Sequence, residues 1–169
     1  MENFTETEIT PTPTLKEQRG SFLSVLCALT WVSTGLNAFT AIISLAGGKA
    51  KVQNTIVESE ELLENTDNEI MYGVLEATIK QNYVILEVFY PFYLSTLIFA
   101  ALGAYAAYLM YNLKKTGFYI YIAYSVLFSL HPYFFMNNIA YIELGVIFAF
   151  AISLLFIILY AVNLKRMTN

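Results

Sequence analysis

Long stretches without a charged side chain constrain this sequence more than any other feature. No Asp, Glu, Lys or Arg occurs within residues 20–48, 88–113 or 144–164. A helix rises about 1.5 Å per residue and the hydrocarbon core of a bilayer is about 30 Å thick, so roughly 20 apolar residues cross it. With 57% hydrophobic and only 13% charged residues, the chain also lies outside the composition of soluble domains. The sequence therefore predicts a polytopic membrane protein.

The predicted fold is all-α, with four transmembrane helices and a short helical acidic extramembrane loop between the first and second spans. The predicted spans cover about residues 21–46, 83–113, 118–136 and 142–164. Pro91 is expected to kink the second span, because it lacks an N–H and its ring crowds the preceding turn. A tight turn is predicted at residues 114–117. Residues 1–20 are expected to form a disordered cytoplasmic tail, since they are largely polar and contain Pro11 and Pro13.

The predicted outer loop, residues 47–82, is acidic, with seven carboxylates against three lysines. Two capping boxes, Thr55 to Glu58 and Thr66 to Glu69, predict two short helices in it. The second of these helices places Ile70, Val74 and Ala77 on one face, which would rest on the membrane surface or on the bundle. The candidate partner-binding residues of the loop are Glu58, Glu60, Glu61 and Glu64.

The distribution of Lys and Arg predicts the orientation of the chain, because positive residues near span ends stay in the cytoplasm. Lys16 and Arg19, Lys114 and Lys115, and Lys165 and Arg166 would all lie on one side. Only three lysines, spread along the acidic loop, would lie on the other. We therefore expect both termini in the cytoplasm.

Three ionisable residues fall within or at the edges of the predicted spans: Glu87, His131 and Glu143. In the predicted topology all three lie toward the outer end of the bundle. Together they would bind a cation or relay a proton, because low dielectric shifts carboxyl and imidazole pKa values. Alternatively, the two glutamates extend to the interface and His131 caps a helix broken by Pro132.

Small residues in the second span predict close helix packing. Ala100, Gly103, Ala104 and Ala107 recur at four-residue spacing, which lets backbones approach closely. The partner helix would belong to the same chain or to a second copy in a homo-oligomer. In the first span, Asn37 and the Ser33-Thr34 pair are expected to hydrogen-bond between helices.

Several classes of protein are disfavoured. A net charge of −4 lacks the basic surface that nucleic-acid binding requires. The single cysteine, Cys27, allows neither an intramolecular disulfide nor a multi-cysteine metal site. No phosphate loop, nucleophile elbow or zinc-protease motif is present. We therefore expect neither an enzyme nor a cofactor.

The segment from Arg19 to Trp31, RGSFLSVLCALTW, followed by Ser33-Thr-Gly35, resembles the first helix of an uncharacterised family of small four-span bacterial inner-membrane proteins. In that family a short basic stretch leads into a similar helix and then an acidic loop. The resemblance implies a bacterial inner-membrane location. It implies no activity and no site residues.

Two functions are consistent with these features. The preferred one is a non-enzymatic structural or accessory subunit of the inner membrane, surrounded by lipid, whose acidic loop and helix faces bind a membrane-protein partner. The alternative is a small oligomeric transporter or channel, coupled to protons or cations through Glu87 and His131. The first function predicts that partner binding depends on the charges of the loop. The second predicts that transport depends on Glu87 and His131.

Overall fold

The computed structural model describes residues 15–135 and 140–168, with side chains described for residues 19–135 and 145–168. The helices of the described chain are α1 (Leu15–Glu64), α2 (Glu69–Glu87), α3 (Phe89–Tyr111), α4 (Lys115–Phe135) and α5 (Ala140–Val162). A short 3-10 turn, Leu164–Arg166, follows α5. No strand occurs in these described ranges, so the predicted all-α class is confirmed.

Four of the helices, α1, α3, α4 and α5, are long and apolar enough to cross a membrane. Their number and order match the four predicted spans. The helix α2 is not among them. It lies between the first and second candidate spans, where the acidic loop was predicted.

The helix α1 is divided by a backbone break at Gly48. This residue has φ 63° and ψ −169°, a conformation open essentially only to glycine. The break separates the apolar residues 21–47 from the polar residues 49–64. It therefore lies two residues beyond the predicted end of the first span.

At the start of α1, the structure differs from the predicted tail. Residues 15–20 belong to the helix, with a second break at Gly20, where φ is 71°. A Cβ at Gly20 would collide with the guanidinium of Arg166, which lies beside it. The predicted disorder of residues 1–14 falls outside the described residues.

The acidic segment is largely helical, as predicted, but its helices are bounded differently. Thr55 lies inside α1, where its hydroxyl donates to the Lys51 carbonyl at 3.1 Å. Asn68, and not Thr66, caps α2, because its Oδ1 accepts from the backbone N–H groups of Ile70 and Met71 at 3.0 and 3.1 Å. We call residues 49–87 the acidic helix pair.

The second candidate span begins at Phe89 and not at residue 83, because Pro91 breaks the helix before it. The helix α2 ends at Glu87, and Val88 separates it from α3 with φ −104° and ψ 29°. Pro91 has no N–H to donate to the Glu87 carbonyl, and its ring would crowd that carbonyl. In the first turn of α3 the missing N–H costs nothing, because the N–H groups there have no partner within the helix.

The helix α3 is the centre of the bundle, because it packs extensively against both α1 and α4. Its predicted small residues lie at these contacts: Ala100, Gly103 and Ala107 are buried and Ala104 is half-buried. A Cβ at Gly103 would lie 2.7 Å from Thr34 Cγ2 on α1 and 2.7 Å from Tyr124 Cζ on α4. Three helices therefore meet at Gly103.

Gly117 provides a second close approach and does not belong to a turn, contrary to the prediction for residues 114–117. It lies in the first turn of α4, where a Cβ would be 2.7 Å from the Ala106 carbonyl oxygen and from the Met110 nitrogen. The chain in fact turns at Leu113, which has φ 60°. The Lys114 N–H donates to the Leu109 carbonyl at 2.9 Å, which completes a Schellman end to α3.

One end of the bundle carries Arg19, Lys114, Lys115, Lys165 and Arg166, and we call it the basic end. Arg19 is buried there, and its Nη1 donates to the Tyr111 carbonyl at 3.0 Å, at the last residue of α3. Its guanidinium carbon lies 3.4 Å from the centre of the Tyr111 ring. A cation at a helix C-terminus is favourable, because it faces unpaired carbonyls.

The C-terminal residues also hold the basic end together. The Thr168 N–H donates to the Leu113 carbonyl at 2.6 Å, and the Lys115 N–H donates to the Thr168 carbonyl at 3.0 Å. Met167 is buried beside them. The chain after α5 therefore closes over the turn between α3 and α4.

We expect Gly103→Ala to destabilise the bundle by about 1 to 3 kcal/mol, the usual cost of overpacking a well-packed core. Gly35→Ala is the matched control, because no atom lies within 4 Å of a Cβ at this helical glycine. The control should gain up to about 1 kcal/mol from helix propensity. Unfolding by SDS titration in detergent micelles measures both variants, and equal stability of the two would contradict a three-helix contact at Gly103.

Candidate functional site

Two neighbouring cavities lie between α1, α4 and α5. The larger has a volume of about 870 Å³ and is also lined by α2 and α3, and the smaller has a volume of about 230 Å³. Phe128, Ser129 and Ala149 line both of them. Together the two cavities form a crevice, and its lining combines aromatic rings with uncharged polar groups.

The divergence of α5 from α1 explains this space. The Thr30 and Tyr160 hydroxyls lie 2.8 Å apart, and this buried hydrogen bond joins the two helices. Elsewhere α1 and α5 hardly touch, because α5 packs mainly on α4. The crevice occupies the gap, with Asn37 of α1 on one side and Gly145 of α5 on the other.

His131 lies at the wall of the larger cavity and is surrounded by phenylalanines. Its imidazole centre lies 4.8 Å from the centre of the Phe92 ring and between 5.3 and 6.3 Å from the centres of three further phenylalanine rings. These are Phe99, Phe128 and Phe135. The side chain is buried, with 4% of its surface exposed. An aromatic enclosure of this kind limits water access to the ring.

A hydrogen bond between His131 Nε2 and Ser95 Oγ, 2.7 Å long, joins α4 to α3. The Ser95 hydroxyl also lies 2.6 Å from the Pro91 carbonyl oxygen. A hydroxyl has one proton, so when Ser95 donates to Pro91 its oxygen accepts from the Nε2–H of His131. The helix α4 continues through Pro132 to Phe135, so His131 does not cap a broken helix end.

The structure describes the side chains of two members of the predicted ionisable cluster, Glu87 and His131. Glu87 is exposed at the end of α2, and no hydrogen bond between described residues joins it to His131. The side chain of Glu143 lies outside the described residues. No group of three His, Cys, Asp or Glu side chains that could hold a metal ion occurs among the residues that the structure describes. The cluster of three stays a prediction.

The acidic helix pair presents the four predicted partner-binding carboxylates in different ways. Glu58, Glu61 and Glu64 are exposed, whereas Glu60 is half-buried. The Glu60 carboxylate accepts a 3.1 Å hydrogen bond from the Tyr83 hydroxyl of α2. This bond and the negative charge of Glu60 raise the pKa of Tyr83 above its usual value. Glu60 therefore holds the two helices together in addition to carrying charge.

Apolar side chains of α2 are also exposed beyond the candidate spans. Ile70 has 81% of its surface exposed, and Met71, Tyr72 and Val74 are about half exposed. The predicted face of Ile70, Val74 and Ala77 is divided, because Val74 and Ala77 line the larger cavity whereas Ile70 points away from the chain. The first turns of α2 thus combine carboxylates with uncovered apolar groups.

The sequence did not indicate the crevice itself or the hydrogen bond of Ser95 to His131. One available signal is helical spacing, because Asn37 and Thr40 lie three residues apart on α1, as Thr78 and Gln81 do on α2. Each pair places polar groups on one face of its helix. That the two faces meet depends on the break at Gly48.

We expect Ser95→Ala to cost about 1 kcal/mol of unfolding free energy, the usual net value of such a hydrogen bond. Thr96→Val is the neighbouring control, because the Thr96 hydroxyl bonds only to the Phe92 carbonyl of its own helix. His131 is the only histidine of the chain, so its imidazole ¹⁵N resonances report directly on this bond. The chemical shifts of these resonances should change in Ser95→Ala and remain the same in Thr96→Val. Unchanged chemical shifts in both variants would show that the bond is absent.

Comparison with known proteins adds no family to these observations. No family model matches the chain, and neither a curated protein nor a solved structure matches it significantly.

Proposed function

We propose that this chain is a four-span integral membrane protein of the bacterial inner membrane and acts as a non-enzymatic accessory subunit. In this proposal the acidic helix pair binds the extramembrane surface of a membrane-protein partner. The single observation that carries it is the uncovered surface at the start of α2. There Ile70, Met71 and Tyr72 are exposed outside the candidate spans, next to Glu69 and Asp67.

Apolar side chains exposed to water are unfavourable, and their burial against a partner would be stabilising. Single exposed apolar residues are normal, but Ile70, Met71 and Tyr72 are all exposed at consecutive positions, so that much of the circumference of the first turn of α2 is apolar and uncovered. On the last turns of α1, Glu58, Glu61 and Glu64 are exposed and have no described ion pair, since the one salt bridge among described residues joins Lys80 to Glu76. A partner with apolar anchors and a basic rim would complement both features.

The charge distribution supports a cytoplasmic location of both termini. Positive residues, which resist translocation across a membrane, occur at the basic end, as Lys114 and Lys115 after the turn at Leu113 and as Lys165 and Arg166 after α5. The acidic helix pair would then face the outside. The resemblance of the first helix to bacterial inner-membrane proteins supports that membrane as the location.

A coupled transporter is less well supported by the same geometry. It requires Glu87 and His131 in one path, whereas Glu87 is exposed and His131 is bonded to Ser95 among phenylalanines. Four spans per chain also leave little room for a pathway. An oligomer would have to supply the missing wall.

Labelling of single cysteines tests the orientation. In a Cys27→Ala background, an impermeant maleimide should label Asn65→Cys in intact spheroplasts, because Asn65 is exposed between α1 and α2. Lys165→Cys, which is exposed at the basic end, should be labelled only after permeabilisation. The opposite pattern would place the termini outside.

Neutralising the exposed carboxylates tests the partner surface. In the triple variant Glu58→Gln, Glu61→Gln, Glu64→Gln, the amount of partner that co-purifies should fall by about tenfold. Exposed ion pairs contribute roughly 0.2 to 1 kcal/mol each, and tenfold in affinity corresponds to about 1.4 kcal/mol. The control removes three carboxylates elsewhere, as Glu2→Gln, Glu6→Gln, Glu8→Gln. Crosslinking in membranes, mild-detergent purification and mass spectrometry quantify the partner. If the loop variant keeps every partner of the wild type, the accessory function at this surface is wrong.

A further inference from the structure

The larger cavity contains polar side chains that have no partner within the described chain. Asn37 of α1 and Gln81 of α2 both line it, and no described residue forms a hydrogen bond with either amide. Among the described residues, every fully buried side-chain nitrogen or oxygen has a hydrogen-bond partner. The two half-buried amides therefore reach the cavity.

Asn37 lies within the apolar part of α1, eleven residues before the break at Gly48. Amide side chains in such a span form hydrogen bonds with neighbouring groups. A molecule in the cavity that carries hydrogen-bond acceptors would provide such a partner.

The lining selects against charge. Among the described residues around both cavities none is Asp, Glu, Lys or Arg, and the one ionisable ring, His131, is bonded to Ser95. A charged ligand would be buried without a counter-ion, which low-dielectric surroundings penalise heavily. The described lining therefore favours a neutral molecule.

The aromatic lining of the larger cavity favours a flat ring. Its volume of about 870 Å³ lies within the usual range for small-molecule sites. Phe92, Tyr93, Phe128 and Phe148 contribute aromatic surface around the polar groups. Aromatic walls prefer offset or edge contacts with another ring. The smaller cavity continues from Ala149 between α1 and α5 and offers space for an apolar chain attached to that ring.

We propose that the crevice binds a neutral, lipid-soluble molecule with a flat carbonyl-bearing head, which is the chemistry of membrane quinones. The Asn37 and Gln81 amides donate hydrogen bonds to the head carbonyls, and the aromatic side chains pack on the ring. The apolar tail leaves through the gap between α1 and α5. This site includes Gln81 of α2 but none of the exposed residues proposed to bind the partner, which are Ile70, Met71, Tyr72, Glu58, Glu61 and Glu64, so each proposal can fail without the other.

The test uses decylubiquinone as the probe, with the full-length protein in detergent micelles and then in lipid nanodiscs. We expect saturable binding by equilibrium dialysis and an upward shift of the melting temperature. Decylbenzene, which has a ring and the same tail but no carbonyl, should bind at least about tenfold more weakly, since tenfold corresponds to the loss of one net hydrogen bond.

Two pairs of variants separate a bound ligand from damage to the fold. Ala149→Phe fills the junction of the two cavities, whereas Ala151→Phe adds the same ring to α5 at an exposed position that lines neither cavity. Gln81→Leu removes one amide of the site, and Gln53→Leu removes an exposed amide outside it. We expect about tenfold weaker binding in the first member of each pair and wild-type binding in the second.

Absence of saturable decylubiquinone binding to the wild-type protein would overturn the proposal. Equal binding of decylbenzene would also overturn it, because the crevice would then be filled only by apolar contact. Equal effects within either pair of variants would remove the crevice as the binding site.

Discussion

The close approach of three helices at Gly103 is the contact on which the rest of the bundle depends. In a bilayer the lipid tails are as apolar as the side chains, so helices associate through tight packing and hydrogen bonds and not through the hydrophobic effect. Gly103 lets α3 contact Thr34 and Tyr124 on its two neighbours, and Gly117 repeats this approach near the basic end. With α3 held in this way, the hydrogen bonds of Arg19, of Trp31 to the Ala104 carbonyl at 3.1 Å and of His131 can form between helices.

Two backbone breaks determine the structure at the end of the bundle opposite the basic end. Gly48 ends the apolar part of α1, and Val88 starts α3 anew ahead of Pro91. Between the breaks, Val52 and Ile85 of the acidic helix pair form a small cluster with Phe89, the first residue of α3. This arrangement brings Gln81 over the cavity and leaves Ile70 and the carboxylates uncovered. The two proposed surfaces, for a partner and for a neutral lipid-soluble ligand, are consequences of the same two breaks.

Much of the architecture was predictable because it follows from composition and local steric rules. The lengths of the charge-free stretches predict four helices able to cross a membrane. Pro91 predicts an irregularity in the helix that contains it. The exact residues of the helix ends were less predictable. Asn68, and not Thr66, caps α2. Leu113 has the left-handed backbone conformation that glycine usually adopts, whereas Gly117 lies within α4. Such choices depend on contacts with distant residues, such as the Thr168 N–H that bonds to the Leu113 carbonyl.

The sequence by itself determined the all-helical class, the four apolar helices, the asymmetry of charge and the small residues of α3, because each follows from residue type and spacing along one helix. Only the tertiary structure decided which side chains meet. It paired His131 with Ser95 and left Glu87 exposed, and it brought Asn37 and Gln81, which lie 44 positions apart, to one cavity. The physical reason is that periodicity specifies a face of a helix, whereas the partner of that face depends on how α5 diverges from α1 and how the chain bends at Gly48.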